Sequence, residues 1–318
     1  GKGTNGRKGI NTGLLPSWIG FTGKTRQNDL DVEFTISLQP GASENTFHGD
    51  GSNGVANGAV NATVLNRQTY VSFGDKSWGS VKLGKDLGIF ASDAILNDMT
   101  LLGVGAVSPG GSHPASGTTT TYGGIGSGYI YAAWKGQVAY TTPNFNGFQI
   151  TAGAMENFGA VNQARRDMSY EAKATYDFAA DNFSGRVWVS GLSQKSEGLA
   201  ATTGTAASGS TTAQVLDTAA GNTYTSRGVD VGLKASAGPA SIVGYYYDGK
   251  GLDGQNSVQG IFNRNGVKSD DDGGYVQATY ALPTQTKLGV SFGRSNSKHT
   301  VSSFDIENIN IKIITLTS

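Results

Sequence analysis

The chain has 318 residues, 24 Lys and Arg against 24 Asp and Glu, 48 glycines and no cysteine. A net charge of zero offers no bulk cationic surface to nucleic acid, and the missing thiols exclude thiolate catalysis, thiolate metal sites and disulfides. No apolar run approaches the roughly 18 residues of a membrane helix, while glycine well above the usual ~7% suits twisted and bent strands.

Residues 1–16 are Gly-rich and polar, unlike an uncleaved signal peptide. Strand-like runs then follow at 17–24, 30–39, 67–74, 80–85, 129–141, 147–156, 168–179, 183–195, 227–237, 240–249, 273–283, 286–296 and 304–315. Clusters of Gly, Asn, Asp and Pro separate them. Short gaps such as Thr25-Arg26-Gln27-Asn28, Pro143-Asn144-Phe145-Asn146 and Gly238-Pro239 alternate with long polar ones, including 41–66 and the low-complexity stretch 198–214. Tight turns at one end and long loops at the other are the rhythm of an up-and-down barrel.

The runs alternate with period two. Leu30, Val32, Phe34, Ile36 and Leu38 oppose Asp31, Glu33, Thr35, Ser37 and Gln39; Val229, Val231 and Leu233 oppose Asp230 and Lys234. A soluble sandwich alternates as well. Several runs, however, reach the length that crosses a bilayer at a tilt, and aromatics such as Trp18, Phe21, Tyr140, Phe145, Phe183 and Tyr280 cluster near strand ends, as in interfacial girdles. The expected polarity is apolar outwards, towards acyl chains, with the charged side enclosing solvent.

Three stretches resemble the general diffusion porins of Gram-negative outer membranes: SWIGFTG at 17–23, the segment from Arg67 through GSVKLGKDLGIFASDAILNDM, and AAWKGQVAYTTPNFNGFQITAG at 132–153. The later half is similar mainly in rhythm, with TKLGVSFGRS at 286–295 its clearest strand. The resemblance implies an all-β fold, a transmembrane antiparallel up-and-down β-barrel of sixteen strands, about thirteen of which are readable here. It implies one barrel domain over 1–318, incomplete at one or both ends, since the first strand looks like the family's second and the ending FDIENINIKIITLTS lacks the family's terminal aromatic. It further implies a homotrimer in the bacterial outer membrane, contacts with membrane lipid and lipopolysaccharide, and passive diffusion of ions and small hydrophilic solutes. No enzymatic activity, cofactor, metal or nucleic-acid partner follows from it.

By the same resemblance a long loop at about 86–128 folds into the pore, which is possible only because a hydrated lumen satisfies its backbone. Asp98, with Asp93 nearby, is expected on that loop, facing Arg67 and Lys135 on the wall. Alternation adds Lys24, Lys82 and Arg186 as lumen residues. The patch Ile95, Leu96, Met99, Leu101 and Leu102 is expected to pin the loop to the wall. Trp18 stands where the family pattern has Arg, and Leu102 where a second loop carboxylate is common, so weak charge selectivity is expected.

Two other classes are consistent with the residues: a surface β adhesin or passenger domain, and an outer-membrane barrel enzyme. No Gly-x-Ser-x-Gly precedes a helical pattern. His48, His113 and His299 sit in Gly, Ser or Pro contexts and are expected on surface loops, without metal spacing. Residues 122–128 fail the dinucleotide spacing and are expected to form a flexible loop return. Asp270, Asp271 and Asp272 could hold calcium, with a solvated loop as the plainer expectation.

Overall fold

A computed structural model describes residues 17–40, 64–101, 123–157, 163–164, 167–198, 223–253, 268–284, 286–299 and 305–317. The strands are β1 (Ile19–Gln27), β2 (Leu30–Pro40), β3 (Val64–Leu65), β4 (Thr69–Asp75), β5 (Gly79–Leu87), β6 (Trp134–Thr141), β7 (Phe148–Met155) and β8 (Gln163–Ala164). They continue as β9 (Ser169–Ala180), β10 (Phe183–Gly198), β11 (Thr223–Ala237), β12 (Ala240–Lys250), β13 (Ser269–Ala281), β14 (Thr286–His299) and β15 (Ile306–Thr317). All fifteen lie in one sheet, ordered β1-β2-β4-β5-β6-β7-β9-β10-β11-β12-β13-β14-β15, with β3 on β2 and β8 on β10. Each consecutive pair on that path is antiparallel, so the sheet is up-and-down, and the thirteen strands legible in the sequence correspond to the thirteen on it. β1 and β15 are its two edges, and no pairing joins them among the described residues.

Tight turns set the register. Between β1 and β2 the turn is Asn28-Asp29, with φ of 50° and 61°, so Thr25, Arg26 and Gln27, expected in the turn, are paired strand residues. Two left-handed residues match the twist of a hairpin, and Asn and Asp tolerate that region. Gly238 (φ 53°) and Pro239 join β11 to β12, the glycine taking the left-handed first position. A side chain at Gly238 would meet nothing within 4 Å. Gly238→Val therefore tests the backbone alone, with an expected loss of about 1–2 kcal/mol, measurable by urea unfolding of the lipid-reconstituted protein.

The sheet has the inverse polarity of a soluble one. On β11, Val229, Val231 and Leu233 are 58%, 50% and 38% exposed, whereas Asp230 and Ser226 are 2% and 1% exposed. On β2, Phe34 and Ile36 are exposed while Thr35, Ser37 and Gln39 are buried. A water-borne sheet covers its apolar face and wets its polar one; here the covered face is polar, as hydrocarbon outside and water inside require.

The sheet is also curled. Gly128 donates to Ser295 Oγ on β14 at 2.9 Å, yet Trp134 begins β6 only six residues later. Six residues reach at most about 21 Å, whereas the seven strand steps from β6 to β14 measure about 34 Å at ~4.8 Å each. A chord shorter than its arc means that residues 128–134 cross the inside of a curved wall.

Two elements differ from the sequence reading. Residues 129–133, expected as the start of a strand, belong to this crossing: they are buried, and Ala133 at φ 59° breaks the extended backbone before Trp134. Asp270, Asp271 and Asp272 lie within β13. Neighbouring strand residues point to opposite faces, so Asp271 is buried while Asp270 is exposed, and the three carboxylates do not converge on an ion.

Candidate functional site

The polar inner face carries a segment made of two limbs, 88–101 and 123–133. The limbs meet where β5 ends. Gly88 N–H donates to Ala133 O at 2.8 Å, and a Cβ on Gly88 would lie 2.3 Å from Ala132 O, so glycine permits the approach. After Gly88 come three residues whose N–H groups point at the wall, then the short helix α1 (Ser92–Leu96) and a 3-10 turn (Met99–Leu101). Five residues make too short a helix to stand without tertiary support, and the wall supplies it.

Polar contacts follow the segment across successive strands. Ile89 and Phe90 N–H donate to Glu171 Oε2 on β9, both at 2.8 Å. Ala91 N–H donates to Asp230 Oδ2 on β11 at 3.0 Å. Tyr275 OH on β13 donates to Ala94 O at 2.8 Å, and Gln277 bridges Met99 N–H and Asn97 O. The second limb is held by Ser295 and by Asn308 Nδ2, which donates to Gly126 O at 3.0 Å. Backbone that strand pairing does not satisfy thus finds wall side chains instead.

Apolar packing accompanies these bonds. Phe90, Ala94, Ile95, Ile125, Tyr129 and Ile130 are buried in one cluster with wall residues that include Trp188, Tyr245 and Tyr275. Rings run continuously through it, with centroids of Tyr129 and Tyr275 5.6 Å apart, Tyr245 and Tyr275 5.7 Å, and Trp188 and Tyr245 6.5 Å. Of the expected pinning patch, Ile95 and Met99 are buried and Leu101 is half-buried, but Leu96 is 72% exposed. Leu102 lies outside the described residues. The segment enters the cluster through Phe90, Tyr129 and Tyr131 together with Ile95, Ile125 and Ile130, while Leu101 packs at its edge. Gly124 and Ile125, in the stretch expected to be flexible, are buried in the same packing.

Each expected site residue has a definite place. Asp98 joins the two limbs: it accepts Thr100 N–H at 2.8 Å, Gly124 N–H at 2.8 Å and the Tyr129 hydroxyl at 2.5 Å. Burial, reinforced by the Asp98 charge, holds the Tyr129 hydroxyl far above the usual phenol range, so it stays a donor. Asp93 is buried between two cations, 2.5 Å from Lys173 Nζ and 3.2 Å from Arg186, whose guanidinium also grips Asp177 at 2.6 Å. Lys135 pairs with Glu171 at 2.6 Å, both side chains at most 2% exposed. Arg67 is 4% exposed, its N–H donating to Gln39 Oε1 at 3.0 Å and its guanidinium 6.0 Å from the centre of the Trp134 ring.

On the first wall, Lys24 pairs with Glu33 at 2.7 Å, and Lys82 with Asp86 while lying 4.5 Å from the Tyr70 ring centre. Arg26 bridges Asp31 and Asp75, each at 2.9 Å. Around this end of the inner face, a cavity of about 840 Å³ is lined by Lys24, Arg26, Glu33, Ser72 and Ser80 among others. The sequence expectation separates loop carboxylates from wall cations; the structure pairs the segment's Asp93 with the wall cations Lys173 and Arg186, but sets Lys24, Lys82 and Lys135 beside the wall carboxylates Glu33, Asp86 and Glu171.

Sequence reading did not single out Lys173, Glu171 or Asp230 as site residues. Alternation gives the face on which each lies, but the partners lie 80 to 140 positions away in the chain. His299, expected on the surface, ends β14 with its side chain fully buried, Nε2 3.0 Å from Asp253. His48 and His113 lie outside the described residues. Among the described residues, no group of three or more His, Asp or Glu is arranged to hold a metal.

A family model described as Gram-negative porin matches residues 1–300. Solved structures are similar in fold at low identity. The anion-selective porin from Comamonas acidovorans has a TM-score of 0.55 at 16% identity, over 95% of this chain and 74% of its own. The trimer form of in-vitro folded OmpT, an outer membrane protein of Vibrio cholerae, has a TM-score of 0.52 at 14% identity, over 94% and 74%. Salmonella typhi OmpF in complex with daunomycin has a TM-score of 0.52 at 16% identity, over 88% and 71%. No curated protein matches the chain in sequence.

Proposed function

This chain belongs to the Gram-negative porin family, an outer-membrane β-barrel with a channel's general role, and from that premise we propose a passive pore for ions and small hydrophilic solutes with weak charge selectivity. The observation that carries it is the pairing of an exposed apolar outer face with a polar inner face across which a segment is laid. In this reading the segment described over 88–101 and 123–133 narrows the lumen; residues 102–122 of the expected loop lie outside the described residues. Asp93, Lys24 and Lys82 stand with Lys173 and Arg186 among the charges a permeating ion passes, while Asp98, Arg67 and Lys135 shape the constriction from behind its surface.

Weak selectivity follows from local pairing. An ion beside a cation–carboxylate pair about 3 Å apart meets a short dipole, whose field falls faster than that of a charged ring. No bond is made or broken in this reading, and no cofactor is needed. The trimer form of the similar Vibrio cholerae OmpT supports a homotrimer here, with the exposed apolar faces against lipid, lipopolysaccharide or neighbouring subunits.

Planar-bilayer recording tests the proposal. Stepwise openings, in groups of three for a trimer, are expected, with a reversal potential near zero in a salt gradient. Lys173→Gln combined with Arg186→Gln should move that potential towards cation preference, and Asp93→Asn towards anions. A wild-type protein that inserts but never conducts would point instead to a surface adhesin.

A further inference from the structure

Resting on the channel reading, we propose that Glu171 and Asp230 are positioning residues: together they hold the inward segment in a seat on the wall and thereby set the width and steadiness of the pore. Three consecutive backbone N–H groups, of Ile89, Phe90 and Ala91, are taken by these two carboxylates. The backbone there turns through Ala91 at φ 60°, and successive N–H groups around such a residue form an anion-binding concavity. The concavity is filled from within the molecule, by side chains of β9 and β11.

Each carboxylate is itself fixed. Glu171 Oε1 accepts from Lys135 Nζ at 2.6 Å. Asp230 Oδ1 accepts from Ser190 N–H at 3.0 Å and Ser190 Oγ at 2.6 Å, and its Oδ2 from Tyr245 OH at 3.1 Å. Hydrogen bonds to an ionised acceptor are about twice as strong as neutral ones, which ranks these two anchors above Tyr275, Gln277 and Ser295. The wall is also cut low beneath the segment. A Cβ on Gly228 would come within 3.0 Å of the Phe90 ring, one on Gly289 within 2.3 Å of Met99 Sδ, and one on Gly293 within 2.3 Å of Ser127 O. Seat and clasp therefore coincide. Because the segment already lies against the wall, any departure from the seat carries it into the lumen.

The experiment compares wild type with Glu171→Ala/Asp230→Ala in planar bilayers, after checking that each forms the folded barrel. Closures several-fold more frequent and a lower mean conductance are expected in the double variant, with Glu171→Gln/Asp230→Asn in between because each retains one carbonyl acceptor. Gly293→Val, which alters no charge, should lower conductance by lifting the Ser127 carbonyl. A second readout does not depend on conduction. The chain has no cysteine, and Ala94 is 0% exposed, so Ala94→Cys gives a single buried reporter whose thiol labelling should speed up at least tenfold when both carboxylates are removed. A folded double variant with wild-type conductance, closures and labelling overturns the proposal. If the double alanine variant does not fold, a folded Glu171→Gln/Asp230→Asn variant whose conductance, closures and labelling match those of the intact carboxylates overturns it equally. An Ala94→Cys protein with both carboxylates intact that labels slowly, alongside a wild type that never conducts, leaves the seat standing and removes the channel reading.

Discussion

Lys135→Met should cost about 3–5 kcal/mol of unfolding free energy, the largest loss expected for any single charge named here. The Lys135–Glu171 pair is 2.6 Å apart, with side chains 2% and 0% exposed. Removing one partner of a buried pair leaves the other charged and dry, and that residual charge accounts for most of the penalty. Glu171 would keep only the Ile89 and Phe90 N–H groups. The comparison is Lys24→Met. Lys24 also pairs with a carboxylate, Glu33, but its side chain is 72% exposed, and a pair in water contributes about 0–1 kcal/mol. Urea unfolding of both variants in lipid vesicles measures the difference. Equal losses would mean that Lys135 is wetted, and the dry wall behind the segment would have to be abandoned.

Val231→Arg should cost about 2–4 kcal/mol, the penalty for a cation near the middle of a barrel's lipid-facing band. Val231 is 50% exposed on the outer face of β11, flanked by Val229 and Leu233. Were that face in water, the same change would fall within about 0.5 kcal/mol. The two environments thus predict losses several-fold apart for a substitution that touches no hydrogen bond. Val231→Leu serves as the control and should be nearly neutral. A loss for Val231→Arg as small as for the control would contradict the outward apolar polarity on which the membrane placement rests.

Strand pattern, turn positions and face polarity were all readable along the chain, because each depends on neighbours one or two residues apart. Leu30 to Leu38 against Asp31 to Gln39 is enough to say which side of β2 is which, and Gly238-Pro239 is enough to place a hairpin. Inside-out polarity required one further step, supplied by strand length and aromatic placement. Parity alone sets Arg186 and Lys82 on the inner side as an expectation; in the structure Arg186 pairs with Asp93 and Asp177, and Lys82 with Asp86.

What sequence could not convey was company. The resemblance sets Asp98 and Lys135 facing each other across water as an expectation; in the structure Asp98 bonds Tyr129 and Gly124 while Lys135 bonds Glu171. Those partnerships depend on how far the sheet curls and how close the segment lies to it, and both are set by packing among strands distant in sequence. The chain by itself determined an alternating, hairpin-linked sheet with a wet and an oily side, since period and turn chemistry are local. Only the tertiary structure decided which charges neutralise one another and which glycines admit the crossing segment, because curvature brings β9, β11 and β14 to one stretch of backbone.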